Sequence, residues 1–171
     1  MAKNIVFIGL MGSGKTTLGK YTAKKTGMLF FDTDELIVKK AQKPIKAIFA
    51  DEGELYFREL ETEVIKDISQ KTDCVISTGG GAVLKQENIE YLKKTGVLFY
   101  LEASPEELYR RTKNDFSRPL LKGDNPIKIL EKLLISRKSF YDKADFKINT
   151  ENKTLEEAFK QAHALYSQFS P

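Results

Sequence analysis

The sequence predicts an α/β fold, a three-layer α/β/α sandwich built on a central parallel sheet. Short uninterrupted apolar runs alternate with longer stretches of helical periodicity. That is the pattern of strands buried on both faces and joined by right-handed crossover helices. In addition, "GLMGSGKT", "DTDE" and "TGGG" each begin where an apolar run stops. Ligands in open parallel sheets sit at the carboxyl ends of the strands, so the three pieces are expected to face one crevice.

The elements follow in order. Residues 5–8 form a buried strand, and residues 15–25 a helix with Gly27 suited to its C-terminal end. Residues 29–31 give a second strand. Helices follow over 34–42, 44–50 and 54–68, the second with a proline in its first turn. "CVIS" is a third buried strand, residues 86–94 a helix and residues 97–101 a fourth strand. "SPEELYRR" opens a helix with a serine cap, an early proline and two glutamates near the positive end of the dipole. A polar, irregular stretch over 113–125 precedes a long helix at 126–141. A short strand "FKI" and a last helix over about 154–167 end the pattern.

At 171 residues the chain is expected to be one domain, near the size at which a single core buries about 70% of the unfolded surface. Apolar residues make up 41% and charged residues 30%, a globular composition. The net charge of +4 suits a small anionic ligand, while the lysines are scattered and form no basic block for nucleic acid. The single cysteine, Cys74, excludes an internal disulfide and a cysteine metal cage. His163, the one histidine, falls in a surface helix and receives no role. The first apolar run is too short for a membrane span and lacks a signal-cleavage pattern, so a cytoplasmic protein is expected, with no membrane partner. No long apolar surface stripe demands a second subunit, and a monomer is expected.

The opening stretch carries the strongest signal. Gly9 to Thr16 fits G-x-x-x-x-G-K-[ST], the phosphate-binding loop, between a strand and a helix as that motif requires. Gly12, Ser13 and Gly14 turn backbone N–H groups inward, and the following helix adds its N-terminus to the anion site. Lys15 reaches the β- and γ-phosphates, Thr16 is placed to ligate Mg²⁺, and Thr17 completes the nucleotide-binding set. The loop therefore predicts a bound nucleoside triphosphate.

A small-molecule kinase, a GTPase switch and a nucleotide-binding subunit of a larger machine compete for this loop. No D-x-x-G switch occurs. Thr112 to Asp115 does spell the guanine reader T-K-x-D, but after a polar helix rather than a buried strand. A motor-type Walker B aspartate is missing, because the third strand ends in Ser77 and Thr78. The acidic partner for Mg²⁺ comes instead from the neighbouring strand. Asp32 and Asp34 project to the same side if extended geometry persists, one toward Mg²⁺ and the other toward an acceptor hydroxyl. Alternatively, Asp34 caps the next helix while Asp32 is solvated.

Other positions stay open between two readings. Gly79, Gly80 and Gly81 form either a turn or a bare backbone wall for a ligand. Arg58 forms either an i,i+4 pair with Glu54 on a solvated face or part of a site. Arg137 lies on the apolar stripe of Ile127, Leu130, Leu133 and Leu134, where a guanidinium either snorkels out or meets an anion. The segment "RTKNDFSRPLLKGDN" is either a surface loop or a mobile lid, over about residues 112–125. From such a lid Arg118 would close over the transferring phosphate and exclude water.

Together "GLMGSGKTTLG", "FFDTDELI", "IFADEGELYFRELE", "VISTGGGAV", "SRPLL" and "SRKSFY" resemble the shikimate kinase family over nearly the whole chain. The match is closer than to adenylate or gluconate kinases, which share this nucleoside-monophosphate-kinase-like fold. The resemblance implies transfer of the ATP γ-phosphate to the 3-hydroxyl of shikimate, in aromatic amino-acid biosynthesis. Lys15 and the loop amides would hold the phosphates, with Thr16 and, through water, Asp32 serving Mg²⁺. Asp34 and the Gly80 amide would bind acceptor hydroxyls, with Asp34 the base or orienting group. Arg58 and Arg137 would clamp the acceptor carboxylate, and a molecule without one would leave them desolvated and unpaired. Gly79 and Gly81 would complete the wall, Phe49 and Phe57 would line its apolar side, and residues 33–61 would form the acceptor-binding region. Arg118 would be the lid arginine and Arg111 the one stacking on adenine. The loop "NTENKT", residues 149–154, departs from the family pattern, and no side-chain contact to adenine is assigned there.

Overall fold

The computed structural model describes residues 3–114 and 125–169. Five strands form one parallel sheet in the order β2-β3-β1-β4-β5. They are β1 (Asn4–Ile8), β2 (Leu29–Asp32), β3 (Cys74–Ser77), β4 (Gly96–Glu102) and β5 (Phe146–Asn149). β1 is central, pairing in register with β3 (Ile5 beside Val75) and β4 (Ile5 beside Val97).

The sheet residues are apolar on both faces because both faces are covered. Val6, Ile8, Ile76, Leu98 and Tyr100 pack beneath α4 (Gly53–Ile68), α5 (Gln86–Thr95) and α7 (Pro126–Tyr141). The alternate residues Ile5, Phe7, Val75, Val97, Phe99 and Ile148 pack beneath α1 (Lys15–Thr26) and α8 (Leu155–Tyr166). This is the period-2 alternation of a pleated strand, with apolar side chains at both phases. The edge strands β2 and β5 are the exceptions, and Leu29 in β2 is mostly exposed.

Local chemistry sets the helix ends. α1 stops at Gly27, whose φ of 77° and N–H bond to the Ala23 carbonyl form a left-handed cap. Ser104 caps α6 (Pro105–Thr112) through the Glu107 amide, with Pro105 in the first turn. Thr154 and Glu157 close a reciprocal capping box on α8. Two starts differ from expectation. Pro44 lies before α3 (Ile45–Asp51) as its cap, with ψ of 148°, rather than in its first turn. α2 (Thr33–Ala41) begins directly after β2, so extended geometry does not persist through "DTD". Among the described residues no helix is long and apolar enough to cross a membrane.

Candidate active site

β1 ends at Ile8 and the chain turns through Gly9 to Gly14 into α1, with Gly12 at φ 79° and Gly14 at φ 94°. Side chains strain both conformations, which explains the two glycines. Ser13 is buried and its amide donates back to the Leu10 carbonyl, drawing the loop into a ring. Lys15 lies inside that ring, with Nζ donating to the Gly9 carbonyl at 2.8 Å and the Leu10 carbonyl at 3.0 Å. A cavity of about 450 Å³ opens beside the loop, lined by Ser13, Gly14, Thr17, Arg111, Thr150 and Lys153 among others.

The aspartates depart from the reading in which Asp34 caps the helix and Asp32 is solvated. Asp32, not Asp34, caps α2, its Oδ1 accepting from the Asp34 and Glu35 amides. It is buried rather than solvated, and its Oδ2 accepts from the Thr16 hydroxyl at 2.8 Å. Asp34 sits in the first helical turn, against the glycine loop that follows β3, where a methyl group on Gly79 would lie 2.6 Å from Asp34 Oδ1. The cap is Asp32 because its strand-like ψ of 123° aims the side chain at the two amides that follow.

Gly79 to Gly81 follow β3 and meet both arginines. Gly79 spends its amide on the buried Thr33 hydroxyl at 2.9 Å. Gly80 lies over the phosphate loop, where an added methyl would stand 3.5 Å from the Met11 nitrogen and 3.6 Å from the Gly9 oxygen. Its carbonyl accepts from Arg137 Nη1 at 2.9 Å and from the Tyr141 hydroxyl at 3.1 Å. A methyl on Gly81 would meet Arg58 Nη1 and Nη2, each at 2.6 Å. The two guanidinium groups, from α4 and α7, thus flank neighbouring residues of one bare backbone stretch.

Arg58 keeps the expected pair with Glu54, at 3.3 Å, but holds Glu61 more closely, at 2.8 Å. Sequence reasoning missed Glu61, which is 1% exposed on its side chain. It shares the helical stripe of Phe57, Leu60 and Ile65, the same signal that singled out Arg137. Burial pushes its carboxyl up, the Arg58 guanidinium opposes that, and Asp34 adds to the rise. Phe57 is buried in the cluster of Ile37, Ile48 and Val64, with the Phe49 ring tilted against it at 4.5 Å between centroids.

Arg111 lines the cavity. It donates to Glu107 Oε1 at 2.7 Å, to the Thr150 hydroxyl and carbonyl at 3.0 and 2.9 Å, and to the Gly12 carbonyl at 3.3 Å. Its edge is taken, leaving the flat face of the guanidinium for stacking. Hydrogen bonds from Arg110 and then Arg111 hold the Glu107 carboxyl down at about 2. Thr150, in the loop given no assignment, owes its importance to a tertiary contact that sequence spacing does not encode. Arg118 and most of the expected lid lie outside the described residues.

Among the described residues no group of three or more His, Cys, Asp and Glu side chains is placed to hold a metal ion. The adjacent oxygens of Thr16 and Asp32 nevertheless fit Mg²⁺, which uses few protein ligands and fills its octahedron with water and substrate phosphate.

Similarity to known proteins agrees with this arrangement. The family model described as "Shikimate kinase" matches residues 11–166. A shikimate kinase of Thermodesulfovibrio yellowstonii is 47% identical over 168 residues, spanning 98% of this chain and 97% of the relative. One from Caldicellulosiruptor bescii is 43% identical, spanning 96% and 95%. The structure of Acinetobacter baumannii shikimate kinase in complex with shikimate superposes with a TM-score of 0.93 at 35% identity, covering 99% of this chain and 96% of that one. A gluconokinase from Sinorhizobium meliloti reaches 0.64 at 17% identity, a likeness of fold alone. With phosphate loop, glycine wall and paired arginines set in this frame, the chain belongs to the shikimate kinase family.

Proposed function

We infer that the protein transfers the γ-phosphoryl group of ATP to the 3-hydroxyl of shikimate, yielding shikimate 3-phosphate. The observation that carries this reading is the convergence of Arg58 and Arg137 on Gly80 and Gly81, directly over the phosphate loop. Two guanidinium groups from separate helices suit a carboxylate, and the adjoining loop suits a triphosphate.

Phosphoryl transfer asks mostly for in-line positioning and neutralised charge. In this reading Lys15 and the loop amides bind the β- and γ-phosphates, and the cavity beside Arg111 takes the nucleoside. Thr16 and Asp32 would hold Mg²⁺, which would supply charge neutralisation on the phosphate oxygens. Arg58 and Arg137 grip the acceptor carboxylate, the wall from Gly79 to Gly81 lets the ring approach the main chain, and Phe49 and Phe57 cover its apolar side. Asp34 accepts the hydrogen bond of the reacting hydroxyl and orients it.

A coupled ADP-release assay with purified protein tests the proposal against shikimate, quinate and gluconate. Shikimate-dependent ADP release well above the other two supports it. Release with gluconate but not shikimate, or ATP binding without acceptor-dependent release, overturns it.

A further inference from the structure

Tyr141 closes α7 and is buried, with its ring stacked on Tyr100 of β4 at 4.6 Å and an interplanar angle of 6°. Its hydroxyl is the second donor to the Gly80 carbonyl, beside Arg137. A carbonyl oxygen has two lone pairs, and here both are used. Arg137 is the donor that the proposed acceptor carboxylate would draw away. If it were the sole donor, gripping the acceptor would strip the Gly80 carbonyl of its partner, and an unsatisfied polar group in a half-buried wall is costly. With Tyr141 present the carbonyl keeps a hydrogen bond whichever way the guanidinium turns.

We propose that Tyr141 is a positioning residue for acceptor binding: its hydroxyl holds the Gly80 carbonyl so that Arg137 is released to the substrate and the glycine wall stays in register with the phosphate loop. The planar peptide carries the effect further, since fixing the Gly80 carbonyl also fixes the direction of the Gly81 N–H. Gly80 in turn lies against the Gly9 oxygen, which Lys15 also contacts, so one hydroxyl buttresses both halves of the site. The rigid stack on Tyr100 suits that task, and burial pushes the Tyr141 phenol up, keeping it a neutral donor. The proposal rests on the acceptor carboxylate lying at Arg137.

Tyr141→Phe removes only the hydroxyl and keeps the stacked ring. Loss of about one hydrogen bond's worth of binding corresponds to a rise of about five-fold in KM for shikimate. KM for ATP and the melting temperature are expected to stay near wild type. Combined with Arg137→Lys, the second substitution is expected to add much less than its effect alone, because both act through Gly80. An unchanged KM for shikimate, an equal rise for ATP, or fully additive effects would overturn the proposal. Amide resonances of Gly80 and Gly81 give a readout independent of turnover, and they must shift in Tyr141→Phe. If wild-type protein shows no shikimate turnover, the functional reading falls while the resonances still decide the positional claim: unshifted amides refute it.

Discussion

Gly81→Ala isolates the acceptor clamp from the rest of the fold. Gly81 has φ of −101° and ψ of 0°, a conformation open to alanine, so the backbone itself offers no resistance. The added methyl would stand 2.6 Å from both Nη atoms of Arg58 and 2.9 Å from Cζ. Ordinary contact needs about 3.5 Å, so the guanidinium must retreat by roughly 1 Å. It is the far end of a flexible side chain and can do so, at the expense of its 2.8 Å contact with Glu61. A displacement of that size in a positioning group costs up to about 100-fold in rate. We expect kcat/KM for shikimate to fall by about 30- to 100-fold, with KM for ATP within about two-fold of wild type. Stability should change little, with a melting shift of no more than about 3 °C, since the small entropic gain of replacing glycine offsets the weakened ion pair. Steady-state kinetics varying each substrate in turn, with a thermal melt, provide the check. Full retention of shikimate kcat/KM would refute the placement of the acceptor at Gly81, and an equal loss for ATP would refute the division of the site.

Arg58→Ala and Arg137→Ala should each weaken shikimate use by at least about 100-fold while leaving ATP binding, followed by calorimetry, near normal. Thr16→Val keeps the shape of the side chain but removes the hydroxyl beside Asp32; Mg²⁺-dependent turnover should drop by at least about ten-fold with the fold intact by circular dichroism. Glu107, held down at about 2 by Arg110 and Arg111, stabilises the fold in its ionised form. That contribution is present above the ordinary carboxyl range and is lost as pH falls toward 2. Because Arg110 is largely exposed, screening leaves about 1 kcal/mol, or about 3 °C between wild type and Glu107→Gln at pH 7, shrinking below pH 4. A difference that stays constant from pH 7 to pH 3 would contradict the assignment.

Features that depend on neighbours along the chain were legible in the sequence. The phosphate loop is contiguous, so its glycines, Lys15 and Thr16 read directly, and the apolar runs of β1, β3 and β4 announced a sheet covered on both faces. Arg137 stood out because a charge on an apolar helical stripe is costly without a partner. The same test would have found Glu61, whose spacing from Phe57 and Ile65 places it on the buried side of α4. Thr33, Tyr141 and Thr150 gave no such signal. Each acts through hydrogen bonds to residues distant in sequence, and a threonine or tyrosine at those positions is equally well explained by capping or packing. That Asp32 rather than Asp34 caps α2 has a local cause. The cap is the residue before the first helical one, so whether the chain turns helical at residue 33 or at residue 35 decides which carboxylate caps, and element boundaries are the least sharply encoded feature of a sequence.

The site also revises how selectivity should arise. The sequence suggested that an acceptor without a carboxylate would leave two bare, desolvated guanidinium groups. Arg58, however, is held by Glu61 and Glu54, and Arg137 by the Gly80 carbonyl. Lys15 is likewise held by the carbonyls of its own loop. These cations start paired, so a ligand gains only the difference between its own oxygens and the partners it displaces. The penalty for a wrong acceptor is then a missing gain rather than an orphaned charge, which is the weaker of the two forms of discrimination. In exchange, neither guanidinium depends on the acceptor for a partner, and both lie at the glycine wall where the proposed acceptor would bind. With the acceptor at the proposed site, exclusion of poor acceptors would therefore fall chiefly on geometry, through the bare wall of Gly79 to Gly81, where an added methyl would collide with Asp34 on one side and Arg58 on the other.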